Sequence, residues 1–262
     1  MPTLSERFDL LKERREKALV LFVTAGDQPL SELHEIVSAL EEGGADVLEI
    51  GIPFSDPFGE GPTIQASSQR ALESGATPRN ILDTIGEIRA EIPIVTMGYY
   101  NPILRFGLPE FATASATAGV CGTIVSDLIP DEAEPWCEAS KVAGIDTIFL
   151  VAPTSTSARI DDVCARSTGF VYAVSRTGVT GAESQVPMNV SGLVGRIRER
   201  TAKPICVGFG ISTPDHVRMV SEVADGAVVG SYLVNLLRRE WNRGAGRSKI
   251  VAAVRELKSA TR

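Results

Sequence analysis

The stretch DVLEIGIPFSDPFGEGPTIQ, residues 46–65, decides how this chain folds and where its chemistry lies. Its first six residues read as a buried strand. Strand side chains alternate between faces, so Val47, Glu49 and Gly51 share one side while Leu48 and Ile50 share the other. Glu49 is thereby set on an apolar surface, where a carboxylate is costly unless it has a partner or a task. A Glu in a strand is more often turned to solvent. The strand breaks at Gly51 and Pro53 into a loop carrying Asp56 and Glu60, and Gly59 and Gly61 beside Glu60 allow a tight turn. A carboxylate on a rigid strand and a second on a loop would suit proton transfer.

The sequence on either side alternates in the same way. Strands are expected at 18–23, 46–51, 93–97, 123–125, 146–151, 170–174, 204–207 and 227–229, each followed by a helical pattern. The second unit carries two helices, 64–74 and 79–91, an amphipathic helix over 4–17 precedes the first strand, and the part after the last strand is helical with a break at 244–246. Parallel strands need such crossovers. Eight units in 262 residues predict an α/β fold, a (β/α)8 TIM barrel with an N-terminal helix and extra helices after strands 2 and 8, forming a single domain over 1–262. A doubly wound open sheet is the alternative. In either fold the strand faces are covered and only their carboxyl ends reach water. Glu49 lies two residues before such an end.

Composition narrows the function. With 44% hydrophobic and 23% charged residues the chain falls among ordinary soluble globular proteins. A formal net charge of −7 argues against nonspecific binding to nucleic acid or anionic membrane. The basic residues Arg238, Arg239, Arg243, Arg247 and Lys249 read as a solvated helix face. Cys121, Cys137, Cys164 and Cys206 show no CxxC spacing and read as reduced thiols of a cytoplasmic protein. The two histidines, His34 and His216, give neither metal-ligand spacing nor a His-based nucleophile triad. The N-terminus lacks the apolar core of a signal peptide, and no apolar run approaches the ~20 residues of a membrane span.

The expected strand ends hold Thr24, Asp27, Glu49, Tyr99, Asn101, Asp127, Thr154, Ser175 and Arg176, and the last three are glycine-bearing: GVTGA at 178–182, GFGIS at 208–212 and GS at 230–231. Glycines let backbone N–H groups approach a phosphate, and barrels of this type commonly place one after strands seven and eight, at the start of a short helix such as Ser231 would begin. A glycine also simply ends a strand. No lysine stands at a strand end, which disfavours a Schiff-base aldolase. The inventory points to acid–base chemistry on a phosphorylated ligand. Phe22, Tyr99, Tyr172 and Phe209 could supply a flat apolar pocket or could be barrel core.

The segments LEIGIPFSDPFGEGPTIQ, GYYNPI, SRTGVTGA, GFGIS and VVGSYLV, in this order and spacing, resemble the tryptophan synthase α-subunit family over about residues 22–233. The resemblance implies a (β/α)8 barrel that is a lyase, cleaving indole-3-glycerol phosphate to indole and glyceraldehyde 3-phosphate. It implies no cofactor in this chain and a partner, the pyridoxal-phosphate-bearing β subunit, in an α-β-β-α assembly that receives the indole through a tunnel. Carried over by position, Glu49 matches the proton-shuttling carboxylate and Glu60 the residue accepting a hydrogen bond from the indole N–H. Phe22, Tyr99, Tyr172, Thr180 and Phe209 match positions near the indole and glycerol portions. Gly181, Gly210, Gly230 and Ser231 match the phosphate cradle. The loop after Arg176 matches the lid, and the 53–62 loop its neighbour at the partner interface.

The chain departs from the family pattern at several positions. Glu60 stands where an Asp is usual, adding one methylene and moving the carboxylate by roughly the ~1.5 Å of a carbon–carbon bond. Gly59 replaces the commoner Ala. Cys121 stands where Asp is frequent and Ser126 where Pro is frequent, and both are expected to be peripheral to the chemistry. Glu60 keeps open a partner-activating subunit with weak lyase activity. A stand-alone indole-3-glycerol-phosphate lyase and a different phosphosugar barrel enzyme also remain as alternatives.

Overall fold

The computed structural model describes residues 2–174, 190–208 and 210–262. Nine strands lie in this part of the chain: β1 (Ala18–Thr24), β2 (Val47–Gly51), β3 (Ile94–Gly98), β4 (Gly122–Val125), β5 (Asp146–Ile148), β6 (Leu150–Val151), β7 (Val171–Val174), β8 (Ile205–Gly208) and β9 (Gly226–Val229). They form one sheet in the order β5-β4-β3-β2-β1-β9-β8-β7-β6, and every pair is parallel.

The two edge strands, β5 and β6, are separated in sequence by Phe149 alone. The ends of the sheet therefore meet, and the result is a nearly closed barrel whose fifth strand is broken in two. Side chains serve the seam at the break. The Phe149 N–H donates to Ser167 Oγ at 3.2 Å and the Thr147 N–H to Thr168 Oγ1 at 2.9 Å, while Phe149 O accepts from the Tyr172 N–H at 3.1 Å. The expected strand over 146–151 is present but does not run through Phe149.

Twelve helices lie among the described residues: α1 (Leu4–Arg14), α2 (Leu33–Gly43), α3 (Pro62–Glu73), α4 (Pro78–Glu87), α5 (Tyr100–Phe106), α6 (Leu108–Thr117), α7 (Glu134–Ala143), α8 (Ser157–Arg166), α9 (Val190–Arg198), α10 (Pro214–Ser221), α11 (Ser231–Glu240) and α12 (Arg247–Ser259). Several of their starts are capped by side chains. Thr3 with Glu6 and Thr77 with Asn80 form reciprocal caps on α1 and α4, and Thr156 and Thr213 cap α8 and α10. The extra helices after the second and last barrel strands are present as α3 and α12. Helix α5 differs from expectation, because GYYNP reads as loop. No side chain of its own segment caps it; Asp127 Oδ1, beyond β4, accepts from the Tyr100 N–H at 2.7 Å.

Strand alternation builds two cores. Val20, Val47, Val95, Ile124, Tyr172 and Val228 point into the barrel, and Leu4, Phe8 and Leu11 of α1 close its amino end. Leu21, Leu48, Ile50, Val207 and Val229 point outward beneath the helices.

One polar contact ties the layers together. Asp46, 4% exposed at the start of β2, accepts from the Leu19 N–H and from Lys258 Nζ of α12, both at 2.8 Å. Lys258 also meets Glu16 at 3.2 Å. Burial pushes the Asp46 carboxyl up, more than Lys258 and the Leu19 N–H pull it down. Removing the cation strands a buried charge, which typically costs about 3 kcal/mol. Lys258→Met is expected to lose stability on that scale near pH 8 and less near pH 5, because acid favours protonation of the stranded Asp46 carboxyl, whose pKa burial already raises. Urea unfolding at the two pH values measures the difference.

Candidate active site

Glu49 sits in register with Phe22 of β1 and Val95 of β3. The pleat that turns Val47 into the barrel turns Glu49 in as well, one layer nearer the carboxyl end. The residue is 0% exposed, and neither carboxylate oxygen has a hydrogen-bond partner among the described residues. Burial pushes its pKa up to about 8, and the Glu60 charge adds to the rise. Glu49 is therefore largely protonated at neutral pH and can give a proton. Gly51 continues the same face. A Cβ there would stand 2.5 Å from Phe22 Cζ, so the glycine is what lets the Phe22 ring lie beside Glu49.

Glu60 reaches the same space from the loop between β2 and α3. A turn places it, with the Glu60 N–H donating to Pro57 O at 3.0 Å, and the Gln65 side chain donates to Glu60 O at 2.9 Å. The preceding Gly59 N–H donates to the Tyr99 hydroxyl at 3.0 Å. Tyr99 is itself held by Phe54, stacked at 5.2 Å between centroids, and by Phe58, edge-on at 5.5 Å. Burial pushes Glu60 up to about 7.

Both carboxylates line a cavity of about 170 Å³ at the carboxyl ends of the strands. Of the sequence-predicted residues, Phe22, Glu49, Glu60, Tyr172, Gly210, Gly230 and Ser231 come together on its wall. Tyr99 does not; it borders a smaller neighbouring void of about 20 Å³ and braces the Glu60 loop from behind. Thr180, Gly181 and Phe209 lie outside the described residues, as does the expected lid. Ser126 is a correction: expected to be peripheral, it lines the cavity, because it follows β4 at the barrel mouth.

The sequence reading also missed Ile64, Met97, Leu150, Val174 and Val228 on the wall. Four of these were findable. Met97, Leu150, Val174 and Val228 stand two residues past Val95, Ile148, Tyr172 and Gly226, so alternation sends them the same way.

The far side of the cavity is built of backbone. Gly210 has φ +58°, the left-handed region, and Gly230 is the N-cap of α11, whose first residue is Ser231. A helix start presents N–H groups without intrahelical partners and the positive end of its dipole. The cavity thus joins a mostly apolar slot holding two carboxylates to a mouth suited to an anion. Burial and then the two Glu charges hold the Tyr172 hydroxyl protonated, as a donor. Gly208 makes room for it: a Cβ there would overlap the Tyr172 hydroxyl. Among the described residues no group of three or more His, Cys, Asp or Glu is placed to hold a metal ion, and no helix is long and apolar enough to cross a membrane.

Comparison with known proteins gives a consistent result. The profile of the family described as Tryptophan synthase alpha chain matches residues 8–262. The tryptophan synthase alpha chain of Geobacter sulfurreducens is 48% identical, over 98% of both chains. A Mycobacterium tuberculosis tryptophan synthase structure superposes with a TM-score of 0.91 at 38% identity, covering 99% of this chain and 98% of that one. The tryptophan synthase subunit alpha of Legionella pneumophila gives 0.89 at 30% identity, covering 100% and 98%.

Two outcomes follow from the geometry. Gly208→Ala is expected to push the Tyr172 ring into the cavity and weaken binding of an indole-sized ligand by about tenfold, read by calorimetry. The second concerns Glu49. Its folded pKa, about 8, lies above the ordinary 4.5, so a bound proton favours the folded chain. That contribution is complete below 4.5 and is lost as pH rises through about 8. The stability of the wild type relative to Glu49→Gln is expected to fall over this window, and urea unfolding across it provides the check.

Proposed function

Given that the chain belongs to the tryptophan synthase alpha chain family, we propose that its cavity cleaves indole-3-glycerol phosphate to indole and glyceraldehyde 3-phosphate, a carbon–carbon lyase reaction. The observation that carries the reading is Glu49: a wholly buried carboxyl without a hydrogen-bond partner among the described residues, in a mostly apolar slot shared with Glu60. Protonated Glu49 delivers its proton to ring carbon C3, making the ring an electron sink. The carboxylate so formed takes the proton of the side-chain hydroxyl as the bond to C3 breaks. The proton removed equals the proton given, so Glu49 ends as it began. Glu60 accepts the hydrogen bond of the ring N–H and steadies the positive charge that C3 protonation creates.

The apolar walls, Phe22, Ile64, Met97, Leu150, Val174 and Val228, suit a flat aromatic ring. Gly210, Gly230 and Ser231 lie where the phosphate would be held, joined in the family pattern by Gly181, while Thr180 and Phe209 match positions near the indole and glycerol portions. Tyr99 acts through Gly59 on the placement of Glu60. In this scheme the chain carries no cofactor of its own, and pyridoxal phosphate belongs to a β subunit that takes the indole within an α-β-β-α assembly in the cytoplasm. Three exposed apolar side chains support docking at this end of the barrel: Phe58, 73% exposed, Leu104 and Ile129 follow β2, β3 and β4 in turn.

Glu60 also favours a second reading, in which the longer side chain weakens the intrinsic lyase and the chain acts mainly by activating its partner. A misplacement near ~1 Å can cost about 10²-fold in rate. Indole release measured with and without a β subunit tests both. Wild-type activity that rises with the partner, and a loss of at least 10³-fold in Glu49→Gln, are expected. A rise of 10²-fold or more in Glu60→Asp would select the second reading. No cleavage by the wild type under either condition would overturn both.

A further inference from the structure

The main cavity and the smaller void beside it share five bordering residues, Phe22, Glu60, Ile64, Met97 and Ser126. Three are apolar. The partition between the two spaces therefore holds one carboxylate and one hydroxyl. Ser126 Oγ is buried and has no hydrogen-bond partner among the described residues. An unsatisfied buried hydroxyl is unfavourable, and such a group in a native structure calls for a reason. Its backbone is fixed: the Ser126 N–H donates to Gly98 O at 2.9 Å, and the next residue, Asp127, is held by the Tyr100 N–H. With its backbone fixed, this serine adjusts only by turning about its one side-chain torsion and its O–H. Glu60 is the adaptable member of the pair, with three side-chain torsions on a glycine-flanked turn.

We propose that Ser126 is a positioning residue of this active site: its hydroxyl donates a hydrogen bond to the Glu60 carboxylate when an aromatic ligand fills the cavity, and so presents that carboxylate to the ring N–H. The inference rests on the lyase reading above and deepens it. Its physical consequence is a choice of protonation state. Burial alone places Glu60 near 7, where it is about half neutral and a poor acceptor. A donor aimed at the ionised form favours that form and lowers the pKa. The other titratable groups facing Glu60 are Glu49 from β2, Tyr99 after β3 and Tyr172 from β7, and each of these interacts with its charge. None is a cation, and among the described residues no Lys, Arg or His borders either space. The Ser126 hydroxyl thus does for Glu60 what a cation does elsewhere, without neutralising Glu49.

The test compares wild type, Ser126→Ala and Ser126→Thr. The last keeps the hydroxyl, and the adjoining void leaves space for its extra methyl. The kcat–pH profile is expected to keep its basic limb in all three proteins. The acidic limb should move up by roughly one unit in Ser126→Ala and return in Ser126→Thr. At a pH one unit below neutral this is a loss of up to about tenfold in kcat that disappears near pH 8. A structural defect would lower kcat at every pH. Superimposed profiles, or a uniform drop, would overturn the proposal. A readout besides turnover separates it from the reading beneath it: carbon-13 NMR titration of the Glu60 carboxyl with indolepropanol phosphate bound, assigned with Glu60→Gln. An upward shift in Ser126→Ala supports the hydrogen bond, and no shift overturns it. Failure of the wild type to bind that analogue would overturn the lyase reading, and with it this inference.

Discussion

A closed ring of parallel strands leaves each strand side chain only two destinations, the barrel interior or the layer beneath the helices. The backbone groups are used up in the ladders, so any chemistry inside must come from inward side chains and from the loops at the carboxyl ends. The strand-borne part of the site follows from that parity. Val47 is core, Glu49 is a buried acid and Gly51 is clearance for Phe22, and the three differ only in height along one strand face. Shifting β2 by one residue would exchange them for Leu48 and Ile50 and leave the cavity without its carboxylate.

The electrostatics are set by what surrounds the two acids. Each lies in mostly apolar surroundings, and the Glu60 charge further raises Glu49. The outcome is a division of labour between chemically identical groups, produced by position: the strand acid is the more buried and holds its proton more tightly. The loop acid is kept in reach by a chain of contacts running outward, from Gly59 to the Tyr99 hydroxyl and from the Tyr99 ring to Phe54 and Phe58. The aromatic surface that faces outward and the carboxylate that faces inward are thus parts of one braced loop.

Much of this was legible in the sequence, and the exceptions share a cause. Local patterns gave the strands and the inward side of Glu49, because each depends on the alternation of residues close together in the chain. What escaped depends on partners far away in the chain. Helix α5 is capped by Asp127, 27 residues on, and the Phe149 break is stabilised by Ser167, 18 residues on. Ser126 looked incidental because a lone serine after a strand carries no pattern, and only the closed barrel shows that it shares a wall with Glu60. Tyr99 was placed at the right end of the barrel, but its hydroxyl bond to the Gly59 N–H, from a residue 40 positions earlier, carries no local pattern.

The Asp46–Lys258 contact bears on how the molecule comes into being. On the ribosome, Asp46 is made 212 residues before the ammonium group that accompanies its burial. β1 likewise waits for β9, since Ala18 pairs with Gly226. The early strands can find β2 and β3 as they emerge, but one flank of β1 and the Asp46 charge stay uncommitted until β9 and Lys258 have been translated. Contacts of such long sequence separation are slow to form, and unpaired strand edges favour association between chains. For this barrel the hazardous interval opens with β1, and what ends it is the arrival of β9 and α12.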